Sequence, residues 1–386
     1  MREIYKIYAS TFFVGLALSV SVISTLYYLA NGLNQAQVAT IFSVFMIGMA
    51  LFEIPTGGIA DTFGHKKSVF LGISVHALSS LITALSSSFE MFLFAMILAA
   101  LGFALVSGAY SSLIHDILNK LGKAQEFTKV NGRMGTMLLV GPLFASPFMS
   151  LLYTSNIRYP WLLAFTLLLI AAILMFLVKW EFKDIKPTFG TYFQKMKNGV
   201  ITVIKSKPII GLIIISIGLG FGRSLFYQNI NQPYQLSIGV SIALIGTVAA
   251  IISGADALVS AFAHKLFDKI GSYPSLLFIV IVPALSLIVL SQINTLLGLL
   301  PILIFLMVHT YRETVIMTLY QKESQDTSRA TMISTTSFLT YIFVGLMLPI
   351  GGLGIDALGI RSMLLAIAIL SLLLSLTGIF VYAKSK

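Results

Sequence analysis

The stretch Phe52-Glu53-Ile54-Pro55-Thr56-Gly57-Gly58-Ile59-Ala60-Asp61-Thr62-Phe63-Gly64-His65-Lys66-Lys67 ends one apolar run in a charged turn, and a second run opens at Ser68. Each run is long enough to cross a bilayer as a helix, because a hydrocarbon core of about 30 Å takes roughly 20 residues. Two such helices joined by a few residues are antiparallel neighbours, and Gly57, Gly58 and Gly64 let the backbone turn and the helices approach. Lys66 and Lys67 put the turn on the cytoplasmic side.

Similar runs continue in both directions. Before the central hydrophilic segment they lie at about Ile7–Leu29, Val38–Ile59, Ser68–Ser86, Met91–Ile114, Met134–Leu152 and Trp161–Val178. After it they lie at about Pro208–Tyr227, Ser241–Phe262, Ser275–Leu290, Leu296–Tyr320, Thr331–Leu353 and Ser362–Tyr382. A chain that is 57% hydrophobic and 10% charged, with a mean hydropathy of +0.95, cannot hide this surface from water in a soluble core. The pattern predicts an all-α integral membrane protein of twelve transmembrane helices.

The net charge of +11 raises the question of a nucleic-acid partner, which the placement of the charges answers. Of 25 Lys and Arg, 21 fall on one face of the predicted topology, against Arg158 and Arg361 on the other, with Arg223 and Arg312 inside apolar runs. This is the positive-inside bias of a membrane protein with both termini cytoplasmic, not a nucleic-acid footprint. The first apolar run has spanning length and no small-residue cleavage site, so it reads as a retained helix. The absence of Cys excludes disulfides and thiolate metal sites.

Residues 179–207 form the one substantial hydrophilic segment and divide a domain at 1–178 from a domain at 208–386. Phe189, Phe193, Met196, Val200, Val203 and Ile204 recur there at helical spacing beside lysines, which fits an amphipathic helix on the inner leaflet; a solvated loop fits equally. The two domains echo each other. A shift of 207 residues lays Gly32 on Gly239, Asp61 on Asp268, Gly64 on Gly271 and Ser68 on Ser275, and a shift of 197 lays Asp116 on Glu313. Duplicated six-helix bundles around a central path are expected.

The hairpin Gly57-x-x-x-Asp61-x-x-Gly64-x-Lys66-Lys67 resembles the signature between the second and third helices of the major facilitator superfamily. Ala263-His264 through Asp268-x-x-Gly271 resembles its second copy, and Ser107-Gly108-Ala109-Tyr110 with Asp116, and Ser328-Arg329-Ala330-Thr331, are similar to its drug-exporter-like members. The resemblance implies the major facilitator fold, two pseudo-symmetric six-helix bundles, and covers essentially the whole chain. It also has departures. Thr62 and His65 stand where the signature usually carries Arg, apolar residues around Leu98 replace an Arg of helix four, and Gly141-Pro142 is followed by Ala145-Ser146 rather than a glycine pair.

By this resemblance Asp61, His65 and Asp116 form a gate cluster with the signature residues Gly57, Gly64 and Lys66, and Asp268, Gly271, Lys269, Glu313 and Arg329 form its second-half counterpart, latching the cytoplasmic side; the plainer reading is folding and topology. Ionisable groups at membrane depth cost about 2.5–3.5 kcal/mol on insertion scales, so each needs a partner or a task. Glu53 and Asp256 are the proton-coupling candidates, with a helix-packing hydrogen bond as the alternative for each. Arg223, Tyr227, His309 and Arg312, with Tyr27, Tyr110 and His115, are the candidates for the substrate cavity. For Arg223 the choice lies between an anion site and snorkelling to the headgroups; for Tyr27 an interfacial aromatic belt competes.

No phosphate-binding Gly-rich loop, zinc-type His/Glu motif or nucleophile elbow is present, so the sequence predicts neither an enzyme nor a cofactor or metal. The expected function is secondary active transport of small amphiphilic organic solutes by alternating access, as proton-coupled efflux of the multidrug type. The alternatives are a proton-linked symporter or exchanger of an anionic metabolite, and a lipid scramblase or non-transporting receptor on the same fold. The expected partners are a small-molecule substrate, protons and membrane lipid, for a monomer in the cytoplasmic membrane.

Overall fold

The computed structural model describes residues 1–179, 201, 203, 206–323 and 329–385, with the backbone alone for Ile54 and residues 329–332. The expected amphipathic helix of the linker lies outside the described residues. Every regular element among them is helical. The first six helices are α1 (Arg2–Ala30), α2 (Gln35–Phe63), α3 (His65–Leu85), α4 (Phe89–Lys120), α5 (Phe127–Ser155) and α6 (Tyr159–Phe176). Then come α7 (Lys207–Ser237), α8 (Ile242–Ile270), α9 (Ser272–Gln292) and α10 (Leu299–Glu323). The last helical stretch, Arg329–Lys384, has 56 residues and is broken at Gly359, whose φ of 78° and ψ of 165° are not helical. Unbroken, it would run for roughly 84 Å, nearly three bilayer cores, so it is two spans, α11 before Gly359 and α12 after it. The twelve helices expected from hydropathy are present.

The helices overrun the apolar runs that announced them. α2 reaches Phe63 and α3 begins at His65, so the charged turn is itself helical and Gly64 alone joins the two, at a φ of 93°. At the other end of the chain's midpoint, α7 does not stop at Tyr227 but continues to Ser237 through a π-helical turn at Phe226–Ile230. Hydropathy marks the length that lipid surrounds, whereas a helix satisfies its own backbone groups in lipid and water alike.

The chain forms two compact units. One comprises Met1–Tyr27, Val44–Tyr192 and Ile242–Ala250; the other comprises Tyr28–Ser43, Phe193–Ser241 and Ile251–Lys386. In the first unit α1 packs on α5 and α6, and α3 packs on α4 and α6. The α3–α4 crossing is close because it is made at glycines: a Cβ on Gly72 would lie 2.7 Å from the Gly102 carbonyl oxygen, and one on Gly102 2.7 Å from that of Gly72. In the second unit α7 packs on the α11–α12 stretch, and α9 packs on that stretch and on α10. Its core gathers Leu212, Ile215, Leu219, Leu276, Ile279, Val315 and Leu319, all almost fully buried.

Local geometry repeats at the spacing read from the sequence. Tyr27 donates its hydroxyl proton to the Thr83 carbonyl at 2.8 Å, and Tyr234 donates to the Leu290 carbonyl at 3.0 Å. Gly32 and Gly239 have φ of 87° and 95°, and Gly64 and Gly271 have 93° and 81°. A Ser–Tyr hydroxyl pair recurs too, at shifts of 206 and 210 rather than 207: Ser10 with Tyr110 at 3.4 Å and Ser216 with Tyr320 at 3.4 Å. The register of 207 aligns Asp116 with the Lys322–Glu323 end of α10, not with Glu313 as a shift of 197 suggested. The hydrogen bond between Lys322 and Ser272, at 3.2 Å, occupies the place that His65 and Asp116 hold in the first unit.

Within the second unit the start of α2 is capped from α11. The Gln35 and Ala36 amides donate to the two carboxylate oxygens of Asp356 at 3.0 and 2.9 Å. Asn34 and Gln37 cap each other, side chain to backbone, at 2.8 and 3.0 Å. Between them these acceptors satisfy helix-end amides that otherwise have no partner, and the carboxylate meets the positive end of the helix dipole.

Candidate functional site

Two clusters of ionisable side chains stand out, one in each unit. In the first unit the one-residue link at Gly64 brings the end of α2 beside the start of α3. His65 Nδ1 lies 2.7 Å from Asp116 Oδ2 on α4, and His65 Nε2 lies 3.7 Å from Asp61 Oδ1 on α2. The imidazole is only 15% exposed, against 45% for Asp61 and 34% for Asp116, so it is the buried centre of a three-helix contact. A protonated His65 would pair with both carboxylates at once; a neutral one can serve only as donor to one of them. Lys66 rests its ammonium 5.8 Å above the Phe176 ring. Gly57 is half-buried, and the neighbouring Thr56 hydroxyl donates to Phe52 and Ala104 carbonyls at 2.7 and 3.1 Å, tying α2 to α4 beside Pro55. Glu53, two residues before that proline, is exposed.

The second cluster lies in the second unit, around a cavity of about 150 Å³ between α7, α10 and α11. Its wall carries Arg312 and Glu313 from α10, Tyr320 one further stretch along the same helix, Ser216 from α7, and Thr336 and Thr340 from α11. Arg312 Nη2 donates to Glu313 Oε1. The two are exposed very unequally, 12% for the Arg312 side chain and 68% for Glu313. Among the described residues Arg312 Nε is buried without a hydrogen-bond partner. Gly220 on α7 faces this wall: a Cβ there would lie 3.3 Å from Val344 Cγ2, 3.7 Å from Thr340 Cγ2 and 3.9 Å from Arg312 Nη1.

Arg223 and Asp256 belong to the same electrostatic neighbourhood. Arg223 interacts with Arg312, Glu313, Asp256 and Tyr227, and its guanidinium lies 5.8 Å from the Tyr227 ring. Asp256, half-buried on α8, accepts a hydrogen bond from the Thr310 hydroxyl at 2.9 Å. The group thus holds two guanidinium and two carboxylate groups, a balance that one added proton or one added anion tips.

Other candidates sit elsewhere. Tyr27 is fully buried and spends its hydroxyl on the Thr83 carbonyl, holding α1 to α3 rather than lining open volume. His309 is 2% exposed and packed against Phe305, ring centroids 4.5 Å apart, within an aromatic stack that includes Phe226. Tyr110 is buried on Ser10, while His115 is exposed beside Asn119 and Phe127. Asp268 is exposed, Gly271 forms the positive-φ link between α8 and α9, and Arg329 has no described side chain. Glu313 accepts from Arg312 Nη2.

Ser216, Tyr320, Thr336 and Thr340 escaped the reading by charge. Their signal was nevertheless present as hydroxyls four residues apart in an apolar helix, in Thr335-Thr336-Ser337 and Thr340-Tyr341.

Comparison with known proteins agrees with this architecture. The family model described as Major Facilitator Superfamily matches residues 7–346. The chain is 27% identical over 263 residues to the uncharacterized MFS-type transporter YxaM of Bacillus subtilis (strain 168), covering 66% of this chain and 64% of that protein's length. It is 23% identical over 275 residues to the quinolone resistance protein NorA of Staphylococcus aureus, covering 70% of this chain and 68% of NorA. Among solved structures, the nucleoside transporter NupG superposes with a TM-score of 0.83 at 12% identity, covering 99% of both chains. A bacterial homolog of the human lysosomal transporter Spinster, inward-facing and unoccupied, gives 0.78 at 15% identity over 99% of this chain and 98% of that one. At such identities the structures speak for the fold alone, and the family match speaks for the class: the chain is a multi-pass membrane protein that belongs to the major facilitator superfamily, a family of secondary transporters and not of enzymes.

Proposed function

We propose that this transporter exports small amphiphilic organic solutes from the cytoplasm across the cytoplasmic membrane, coupled to protons, with the α7–α10–α11 cavity as part of its solute site. The observation that carries the reading is the Arg312–Glu313 pair set in a wall of hydroxyls with Asp256 nearby. Carboxylates are expensive at membrane depth and are retained where they move protons or hold a solute. Similarity to a protein named for quinolone resistance favours efflux of organic compounds. Proton binding at Asp256 or Glu313 would leave Arg312 and Arg223 in excess, so solute and proton occupancy are linked through one local charge balance.

The His65 cluster has a separate task in this proposal. It binds the inner ends of α2, α3 and α4 into one gate element through the two contacts of His65. The division of the chain into a six-helix domain at 1–178 and another at 208–386 belongs to the same proposal.

The test is uptake and efflux in proteoliposomes under an imposed pH gradient, with a panel of anionic, neutral and cationic aromatic compounds. Proton-driven movement of at least one of them is expected. Transport of panel compounds at rates indifferent to the pH gradient would end the coupling claim, and no movement of any would end the exporter reading.

A further inference from the structure

We propose that the cavity between α7, α10 and α11 is an anion subsite: it takes the acidic head group, a carboxylate or a group of like shape, of an amphiphilic organic solute. This deepens the solute-site reading above and rests on it for the transport step alone. Three observations point to an acceptor-bearing ligand.

The first is the guanidinium. Arg312 is 12% exposed, and among the described residues its Nε is a buried donor without an acceptor. Buried donors in native proteins are almost always paired, so an orphan beside an open volume points to a missing acceptor. Its Nη2 is engaged by Glu313, but that carboxylate is 68% exposed and its attraction is correspondingly screened. A guanidinium takes a carboxylate in bidentate fashion through neighbouring N–H groups, a geometry that a cation or a neutral amide does not satisfy.

The second is the rest of the wall. Ser216, Tyr320, Thr336 and Thr340 make the same volume polar. Ser216, Thr336 and Thr340 donate to the Leu212, Ile333 and Thr336 carbonyls at 2.8, 2.9 and 2.8 Å, and each can turn its one proton to an anion only by giving up that bond. Among the described residues Glu313 is the one carboxylate of that wall and it is engaged by Arg312, while Asp256 already accepts from Thr310 at 2.9 Å. The third is size. A cavity of about 150 Å³ is roughly ten times what one water needs. That admits a charged head group, while Ile316, Met317 and Ile333 in the same wall suit the apolar body it carries. The nearby Arg223 adds a second guanidinium to the neighbourhood of the subsite.

The experiment measures binding of three matched probes, 4-butylbenzoate, 4-butylbenzamide and 4-butyl-N,N,N-trimethylanilinium, to the full chain in nanodiscs, alongside the proteoliposome assay. The expected result is that the benzoate binds at least about tenfold more tightly than either isostere. Arg312→Gln should erase that preference, Arg312→Lys should keep part of it, and Thr340→Val should weaken the benzoate alone. Equal binding of benzoate and benzamide by the wild type, or a preference surviving in Arg312→Gln, overturns the subsite. Should Arg312→Gln fail to fold, the wild-type comparison and Thr340→Val decide the matter. Proton-driven transport of the neutral or cationic probe without any benzoate preference would defeat the subsite and leave the transport reading standing. Benzoate binding lost in Arg312→Gln, with no transport of any probe, would do the reverse.

Discussion

Tyr27 and Tyr234, 207 residues apart, make the same hydrogen bond: each hydroxyl donates to a carbonyl of the helix that follows the next one, Thr83 in one case and Leu290 in the other. Those two carbonyls are themselves 207 residues apart. Each bond is buried and joins helices at one end of its bundle, so the two should be of equal worth. Tyr27→Phe and Tyr234→Phe are each expected to destabilise the protein by about 1 kcal/mol with no change in transport specificity. Thermal unfolding in detergent checks the stability and a substrate panel checks the rest; a selective change in the panel for Tyr27→Phe would restore that residue to the cavity.

His65 stands between two carboxylates, with Asp116 Oδ2 2.7 Å from its Nδ1 and Asp61 Oδ1 3.7 Å from its Nε2. His65→Ala removes both contacts, so cysteine labelling at the inner ends of α2 and α4 should rise above the wild-type level. His65→Arg keeps a cation between the two carboxylates and should restore protection. Labelling unchanged in His65→Ala would remove His65 from the gate.

Asp356 accepts from the first two amides of α2, where an anion and a helix dipole favour each other. Asp356→Ala is expected to cost about 1 kcal/mol, and Asp356→Asn less, because an amide oxygen still accepts. Hydrogen exchange at the Gln35 and Ala36 amides should accelerate in the alanine variant. Exchange identical to wild type would mean that Asn34 and water suffice.

Gly64 and Gly271 hold φ of 93° and 81°, where a Cβ is strained. Gly64→Ala and Gly271→Ala should each lose about 1–2 kcal/mol. Gly135→Ala is the control: it lies in α5 with helical geometry and nothing within 4 Å of the added carbon, so it should be neutral or slightly stabilising. Comparable melting temperatures for all three would show that the two links relax at no cost.

Helix number was legible because each apolar run leaves a mark of its own length. Helix ends were not, since Asp61 to Lys67 and Asn229 to Gln235 are polar but helical, and polarity alone cannot tell a helix end from a loop. The His65–Asp116 proximity was reachable through the family's signature and is made at 2.7 Å. The counterpart assigned to Asp116 was misplaced, because a single matching acid at a shift of 197 weighs less than hydrogen bonds that keep the register of 207. The cavity hydroxyls were passed over for a physical reason: serine and threonine in apolar helices commonly satisfy themselves on a carbonyl one turn back, as Thr340 does on Thr336, and announce no partner.

The single glycine between α2 and α3 has a mechanical consequence. Successive Cα atoms are about 3.8 Å apart, so a one-residue link carries no slack. The two helices can pivot about Gly64 but neither can slide past the other. With Asp61 on one arm, His65 on the other, and Asp116 clasping His65 from α4, a torque applied to α2 is delivered to α3 and α4 rather than absorbed. The hairpin behaves as a stiff crank, and His65 is the pin that seats it against α4.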